Sequence, residues 1–422
     1  MKRIGWLAVF VAVITLATGC HNNGKSQNTT DVRVLHAVAD AEPLDILVDG
    51  DVKAPAVAFG VTSSYSEFSS GTRTVDVRST TNATILTTKS VAFGSATYTL
   101  VYYGKRGSIG TLQLTDDTTN PSSGKFKVRV MGLTPDSGAV DVYFVTGTDI
   151  SAAPATISGV GYTAVTDYTE VSPGTYTIVF AAAGTKDVLF QSTPQAFADG
   201  AKLTVGIFPA AGGKLVNAVL LTSASGVLLP NPFSRVKAVN AVPDSSTFTF
   251  KADGTTLLSN VPFMGSSSYV TTSTGARTLQ LEASNVPGAT ITTLAKRLDP
   301  ARDYSVAAVN MLANVRLVAF TDDNSLPATG FAKLRFANTR VDAAPVDALV
   351  NFASQAAGIA QNSASAYYSL APGTTYTITF ASAGGVSVIA TLDNVELDAG
   401  AIYTAYLFGI SGSPVARLVR DR

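Results

Sequence analysis

After residue 30 the chain alternates apolar and polar residues with period two, in short runs parted by turn residues. TRTVDV, TYTIVF, ARTLQL and TTYTITF are examples, rich in Val, Thr, Tyr, Phe and Ile. That alternation and composition predict β-strands with one buried face, and no long run carries a helical period. One stretch, residues 32–50 (VRVLHAVADAEPLDILVDG), reads as strand, turn and strand. It returns as VRVMGLTPDSGAVDVYF from Val128, VKAVNAVPDSSTFTF from Val236 and LRFANTRVDAAPVDALV from Leu334.

Other landmarks recur in step with it. A tyrosine stands six residues before a glycine at Tyr65, Tyr168, Tyr269 and Tyr367. A late strand follows, ATYTLVYY from Ala96, KLTVGIF from Lys202, DYSVAAV from Asp303 and AIYTAYLF from Ala401. Each repeat closes on TLQLTDD at Thr111, LVNAVLL at Leu215, RLVAFTDD at Arg316 or ARLVRD at Ala416. The fold class expected is all-β: four tandem antiparallel, immunoglobulin-like β-sandwich modules of about seven strands each. They are placed at residues 31–119, 125–229, 234–325 and 331–422. Proline marks the junctions at Pro121, Pro230, Pro232 and Pro327. Such short linkers predict touching modules in a semi-flexible rod, each module folding on its own.

A chain of 422 residues exceeds one hydrophobic core, in keeping with several modules. Its formal net charge is zero, and loss of Lys2 and Arg3 with a leader would make the remainder slightly acidic. That argues against a nucleic-acid or anionic-lipid surface. The one cysteine, Cys20, leaves no disulfide within the modules, which then stand on packing.

The first 19 residues have the parts of an export signal: Lys2 and Arg3, an apolar run over residues 4–16, then Ala17-Thr18-Gly19 before Cys20. The run is too short to span a bilayer comfortably. The ending resembles a bacterial lipobox, which implies that Cys20 is lipidated, palmitate among its acyl chains, and becomes the N-terminus. Ala17 stands where that motif usually has a larger aliphatic residue, and Ala17-x-Gly19 also suits ordinary cleavage. Residues 20–30 read as a flexible tether. His21, where an aspartate would signal inner-membrane retention, favours the outer membrane by analogy.

The opening V-R-V-x-H-A-x-x-D-A-x-x-x-D-x-x-V-D-G and the later P-G-T-Y-T strand resemble a bacterial family, domain of unknown function 4397. The resemblance covers nearly all of the chain after the tether and is strongest in the first module. It implies an exported, often lipid-anchored tandem protein and supplies no activity and no site.

Several residues invite chemistry. Asp40 and Asp45, Asp136 and Asp141, and Asp342 and Asp347 recur five apart, with Glu42 beside the first pair; a calcium loop needs several such oxygens. The spacing is foreign to known calcium loops, and turn bonding by the first aspartate with a solvent-facing second one is the preferred reading. Arg33, Arg129, Lys237 and Arg335 hold one position in the opening strands, pointing away from the core. They read as a solvated face that discourages edge pairing, or else as a basic stripe for an anionic glycan or lipid. By parity Arg33 should pair with Asp45, Arg129 with Asp141 and Arg335 with Asp347, and Lys237 should lack the pair because Thr249 stands opposite. His36 is matched by Gly132, Asn240 and Asn338, and only His21 joins it, so a histidine triad or zinc site is not expected.

The expected protein is therefore a lipid-anchored bacterial envelope protein with a structural, adhesive or ligand-binding role. No catalysis, cofactor or metal is expected. Its partners would be the membrane, through the N-terminal lipid, and a glycan or envelope protein, with no nucleic acid. The alternative is a carbohydrate-binding accessory module or a carboxylate-based glycan hydrolase, which needs two carboxylates across a cleft.

Overall fold

The computed structural model describes residues 29–116, 119–210, 212–342 and 344–422. The signal, most of the tether and Cys20 lie outside the described residues. Among these, every regular element is a strand except the 3-10 turn Leu312–Asn314.

The strands form eight sheets, two to each sequence repeat. In the first repeat the opening strand Thr29–Val38 lies between Ser66–Ser69 and the late strand Tyr98–Lys105, with the closing strand Ser108–Thr115 outside it. The facing sheet holds Leu44–Val48 between Asp51–Val57 and Gly71–Ser79, flanked by Ile85–Phe93. Phe126–Gly132, Phe233–Asn240 and Ala332–Asn338 open the other three repeats in the same place. Val32, Val34 and Leu100 from one sheet meet Ile46, Val75 and Val77 from the other in a continuous apolar core, and each repeat has such a core of its own. Full burial of one such side chain is worth about 1.5–3 kcal/mol, so these cores carry most of the stability.

The sheets are not wholly antiparallel. Opening and late strands pair in parallel in all four repeats, from Val32↔Tyr98 to Val38↔Gly104 in the first. A late strand that enters its sheet from the opposite one, rather than through a hairpin, is free to run parallel to its neighbour. Elsewhere tight hairpins set the direction: Asp49 and Gly50 both have positive φ, 49° and 92°, as a two-residue hairpin turn requires.

The sandwiches pack by sheet faces in two pairs, in place of the expected semi-flexible rod. Leu35, Val101 and Leu114 of the first meet Met131, Phe208 and Val219 of the second in a shared apolar layer. Val239, Ala307 and Phe320 of the third meet Ala337, Tyr406 and Phe408 of the fourth likewise. The sheets carrying the opening strands are therefore covered on both faces. The approach is close enough that a Cβ on Gly226 of the second sandwich would stand 2.5 Å from Thr62 of the first. The pairs touch one another too: Asp136 of the second sandwich accepts the Leu326 amide at 2.6 Å, and its carbonyl accepts from Arg422.

Candidate functional site at the seams between sandwiches

The charged residues of the opening strands lie at these seams. Period two puts Arg33 on the same strand face as Leu35, which is the face covered by the second sandwich. The side chains are buried rather than solvated: Arg33, Arg129, Lys237 and Arg335 retain 4%, 9%, 1% and 2% of their exposure. Neither the solvated face nor an open basic stripe is what the fold builds.

Each cation completes a cluster drawn from the recurring landmarks. In the first sandwich Arg33 Nε donates to Thr99 Oγ1 at 2.9 Å, and Thr99 and Tyr65 donate to Asp116 at 2.8 and 2.7 Å. The guanidinium stacks on Tyr65, 4.9 Å from the ring centre. In the second, Arg129 donates to Thr204 at 2.9 Å and stacks on Tyr168 at 5.0 Å. The clusters interlock across the seam: Arg129 reaches Asp116 at 3.8 Å, and Arg33 donates to the Thr222 carbonyl at 2.7 Å.

The third and fourth sandwiches make the exchange fully ionic. Arg335 of the fourth bonds Asp322 of the third, and Lys237 of the third bonds Asp421 of the fourth. Ser305 and Tyr269 also donate to Asp322, at 2.6 and 2.5 Å, and Thr404 donates to Asp421 at 2.5 Å. Burial works against the Lys237 charge, but Tyr406, Asp421 and Asp322 outweigh it and hold the ammonium above its ordinary pKa. Burial and the Asp322 carboxylate push the Tyr269 hydroxyl well up, so it remains a donor. A buried pair satisfied this completely is near neutral to form but costly to break from one side.

The expected pairs of Arg33 with Asp45, Arg129 with Asp141 and Arg335 with Asp347 do not form. Each partner does point out of its core, but the two strands belong to opposite sheets, so their outer faces look away from each other. Asp45 instead pairs with Arg78 on the neighbouring strand at 2.8 Å. It also accepts the amide of Ala56, a residue with φ 46°. Asp141 accepts the Gly159 and Gly184 amides at 2.8 and 2.9 Å, and Asp347 those of Gly358 and Gly384 at 2.8 Å. Ala56, Gly159 and Gly358 stand where the ladder register shifts, so this aspartate clamps a β-bulge. In the third repeat Thr249 cannot reach, and Ser284 accepts the Asn260 amide in its stead.

The first aspartates serve loops: Asp40 accepts the Arg106 amide and Asp244 that of Leu312, both at 2.8 Å. Asp342 lies exposed with φ 56°. No group of three or more His, Cys, Asp or Glu is placed to hold a metal among the described residues. His36 is fully buried; its Nδ1 accepts the Val38 amide and its Nε2 meets the Glu42 carbonyl, each at 3.1 Å. That pattern requires the neutral ring with the proton on Nε2, and desolvation lowers its pKa accordingly. Asn240 bonds Val242 and Val261 in the matching place, so the position is a structural bridge.

The signal for the seams was present in the late strands. In KLTVGIF and DYSVAAV apolar residues occupy both parities, the mark of a strand buried on both faces. The threonine or serine of each late strand, Thr99, Thr204, Ser305 and Thr404, and the closing Asp116, Asp322 and Asp421 join one constellation that strand periodicity alone does not single out.

The fold and these clusters recur in the segments matched by a family model. The model "Domain of unknown function (DUF4397)" matches residues 30–143, 234–348 and 332–422. The matches span well over half of the chain, so it belongs to that family. No curated protein matches the chain. Among solved structures it is similar to a family 26 carbohydrate-binding module of Eubacterium rectale Amy13K in complex with maltoheptaose, at 12% identity and TM-score 0.16, covering 46% of this chain and 97% of that one. It is also similar to the Bacillus anthracis TIE protein, at 11% identity and TM-score 0.16, covering 92% and 76%. A third is the multi-modular glycogen-degrading pneumococcal virulence factor SpuA, at 9% identity and TM-score 0.15, covering 63% and 37%. Likenesses this low carry no inference about ligand or activity.

Proposed function

We propose that the protein is a non-catalytic, lipid-anchored envelope protein of bacteria that displays a rigid set of paired sandwiches for ligand binding or adhesion. The observation that carries this reading is the use made of the recurring charged residues. The aspartates a hydrolytic pair would draw on are engaged by bulge amides, loop amides or cations, and the recurrent cations lock sandwich to sandwich. Side chains so engaged are poor general acids or bases, which need a proton free to move at the reacting bond. They suit a protein whose task is to hold a surface in place.

The export-like first 19 residues and the position of Cys20 support the anchor. A multiply acylated cysteine holds stably where one chain would not. Cys20→Ala is expected to move the protein from the membrane fraction to the soluble one, and retention in the membrane would remove lipidation from the proposal. The outer membrane is proposed on the strength of His21 following the cysteine.

A further inference from the structure

The seam between the third and fourth sandwiches opens onto a cleft of about 580 Å³, inside the roughly 300–1,000 Å³ range of small-ligand sites. Its walls carry Lys214, Arg235, Lys237, Arg417, Arg420 and Arg422, against one carboxylate, Asp421. A second hollow of about 470 Å³ shares Lys214, Arg235 and Tyr269 with it and continues past Thr271 to one further carboxylate, Asp187, so the two form one groove in which cations still outnumber carboxylates.

Three of the six cations are already matched: Lys237 by Asp421, Arg235 by Asp303 and Arg420 by Asp398. Lys214, Arg417 and Arg422 have no carboxylate within ion-pair distance among the described residues. The two arginines donate to backbone carbonyls instead, Arg417 to Met264 and Arg422 to Asn324, both at 2.7 Å, and Arg422 is engaged further by the Asp136 carbonyl of the second sandwich. Burial and the neighbouring Arg235 hold Arg422 below its ordinary pKa against the pull of the Asp136 and Asp303 carboxylates. Ser266 and Ser268 add hydroxyls to one wall. The corresponding cavity of the first seam, about 340 Å³, sets Arg33 and Lys202 against Asp31 and Asp116 and is balanced. Excess positive charge is thus a property of this seam and not of the repeated fold.

We infer that this groove binds an anionic oligosaccharide, its carboxylate, sulfate or phosphate groups meeting Lys214 and Arg417 and its hydroxyls meeting Ser266 and Ser268. The inference rests on the ligand-binding reading above and deepens it. A sugar is favoured over a nucleic acid because single strands need open aromatic faces for stacking. The ring in the groove, Tyr269, is committed to Asp322 and to the Arg235 guanidinium.

The test is calorimetric titration of the full exported chain with trigalacturonate, a heparin hexasaccharide, neutral maltoheptaose and a single-stranded DNA oligomer. Binding of at least one anionic sugar is expected, weakening with salt and absent for maltoheptaose. Lys214→Gln combined with Arg417→Gln should lower affinity at least tenfold, whereas Lys202→Gln at the first seam should leave it unchanged. A circular-dichroism melt of each variant separates lost binding from lost fold. The inference fails if neither anionic sugar binds, if the double variant binds as well as the parent, or if DNA binds more tightly than either sugar. Cleavage of a bound sugar would overturn the non-catalytic reading and leave the groove standing; the fate of the Cys20 anchor bears on neither.

Discussion

The first and second sandwiches meet through one partly exposed carboxylate, and the third and fourth through two fully buried ones. Asp116 keeps 19% of its side-chain exposure and is shared between Arg33 and Arg129 at 3.9 and 3.8 Å. Asp322 and Asp421 keep none and each has its own cation. The difference traces to the closing strands: the second repeat has Ser223 in the register position where the others have Asp116, Asp322 and Asp421. Across the seam Arg33 meets only the Thr222 carbonyl, whereas Arg335 meets both the equivalent Thr321 carbonyl and Asp322. One frame therefore yields a tolerant joint and an exacting one. The exacting joint lacks slack because a buried charge without its partner cannot call on water.

Separating the sandwiches should break this comparison most sharply. A fragment of residues 331–422 uncovers Tyr406 and Phe408 and leaves Arg335 without Asp322. It is expected to aggregate or to unfold without a cooperative transition, while residues 233–422 should unfold cooperatively in urea and elute as a monomer. A soluble, cooperative lone fragment would show that the seam contributes little.

Removing single carboxylates comes next. Asp322→Ala strands Arg335 in a dry site and is expected to cost about 3–5 kcal/mol. Asp116→Ala, where water can enter, should cost roughly 1–2 kcal/mol. Denaturant midpoints at fixed slope measure both, and equal losses would erase the distinction between the seams.

The bulge clamps are a smaller effect. Asp347→Ala deprives the Gly358 and Gly384 amides of their acceptor and should cost about 1–3 kcal/mol. Ser284→Ala in the third repeat serves one amide and should cost less by the same assay.

The smallest difference is one of pH. His36 belongs to the first pair, and Asn240 and Asn338 hold its place in the second. Its folded pKa is lowered from 6.5, so the unfolded chain takes up the proton first. Stability of the first pair is then complete above about pH 6.5 and declines as pH falls toward the folded value, by at most about 1.4 kcal/mol per pH unit. His36→Asn should flatten the melting temperature of the first pair between pH 7 and 5 and leave the second unchanged. An equal slope in the His36→Asn protein would assign the pH effect to other groups.

Much of this architecture was legible in the chain because strand periodicity is local. Residues 32–50 predict two strands and a turn wherever they recur, and the alternation in TRTVDV or ARTLQL names the core-facing positions without reference to the rest of the protein. Parity also correctly turned Arg33 and Asp45 away from the core. What parity could not decide is which sheet each strand joins, since that depends on pairings between residues some 66 positions apart, such as Val32 with Tyr98. Nor could it tell that the outward face of the opening strand meets a second protein surface rather than water. Both questions are settled by which apolar faces remain to be covered once the individual cores have formed, and Leu35, Met131 and Phe208 cover one another only after two sandwiches exist to carry them. The charged clusters follow from that contact: Arg335 and Asp322 lie on different sandwiches, and only the closing of the seam brings them within bonding distance.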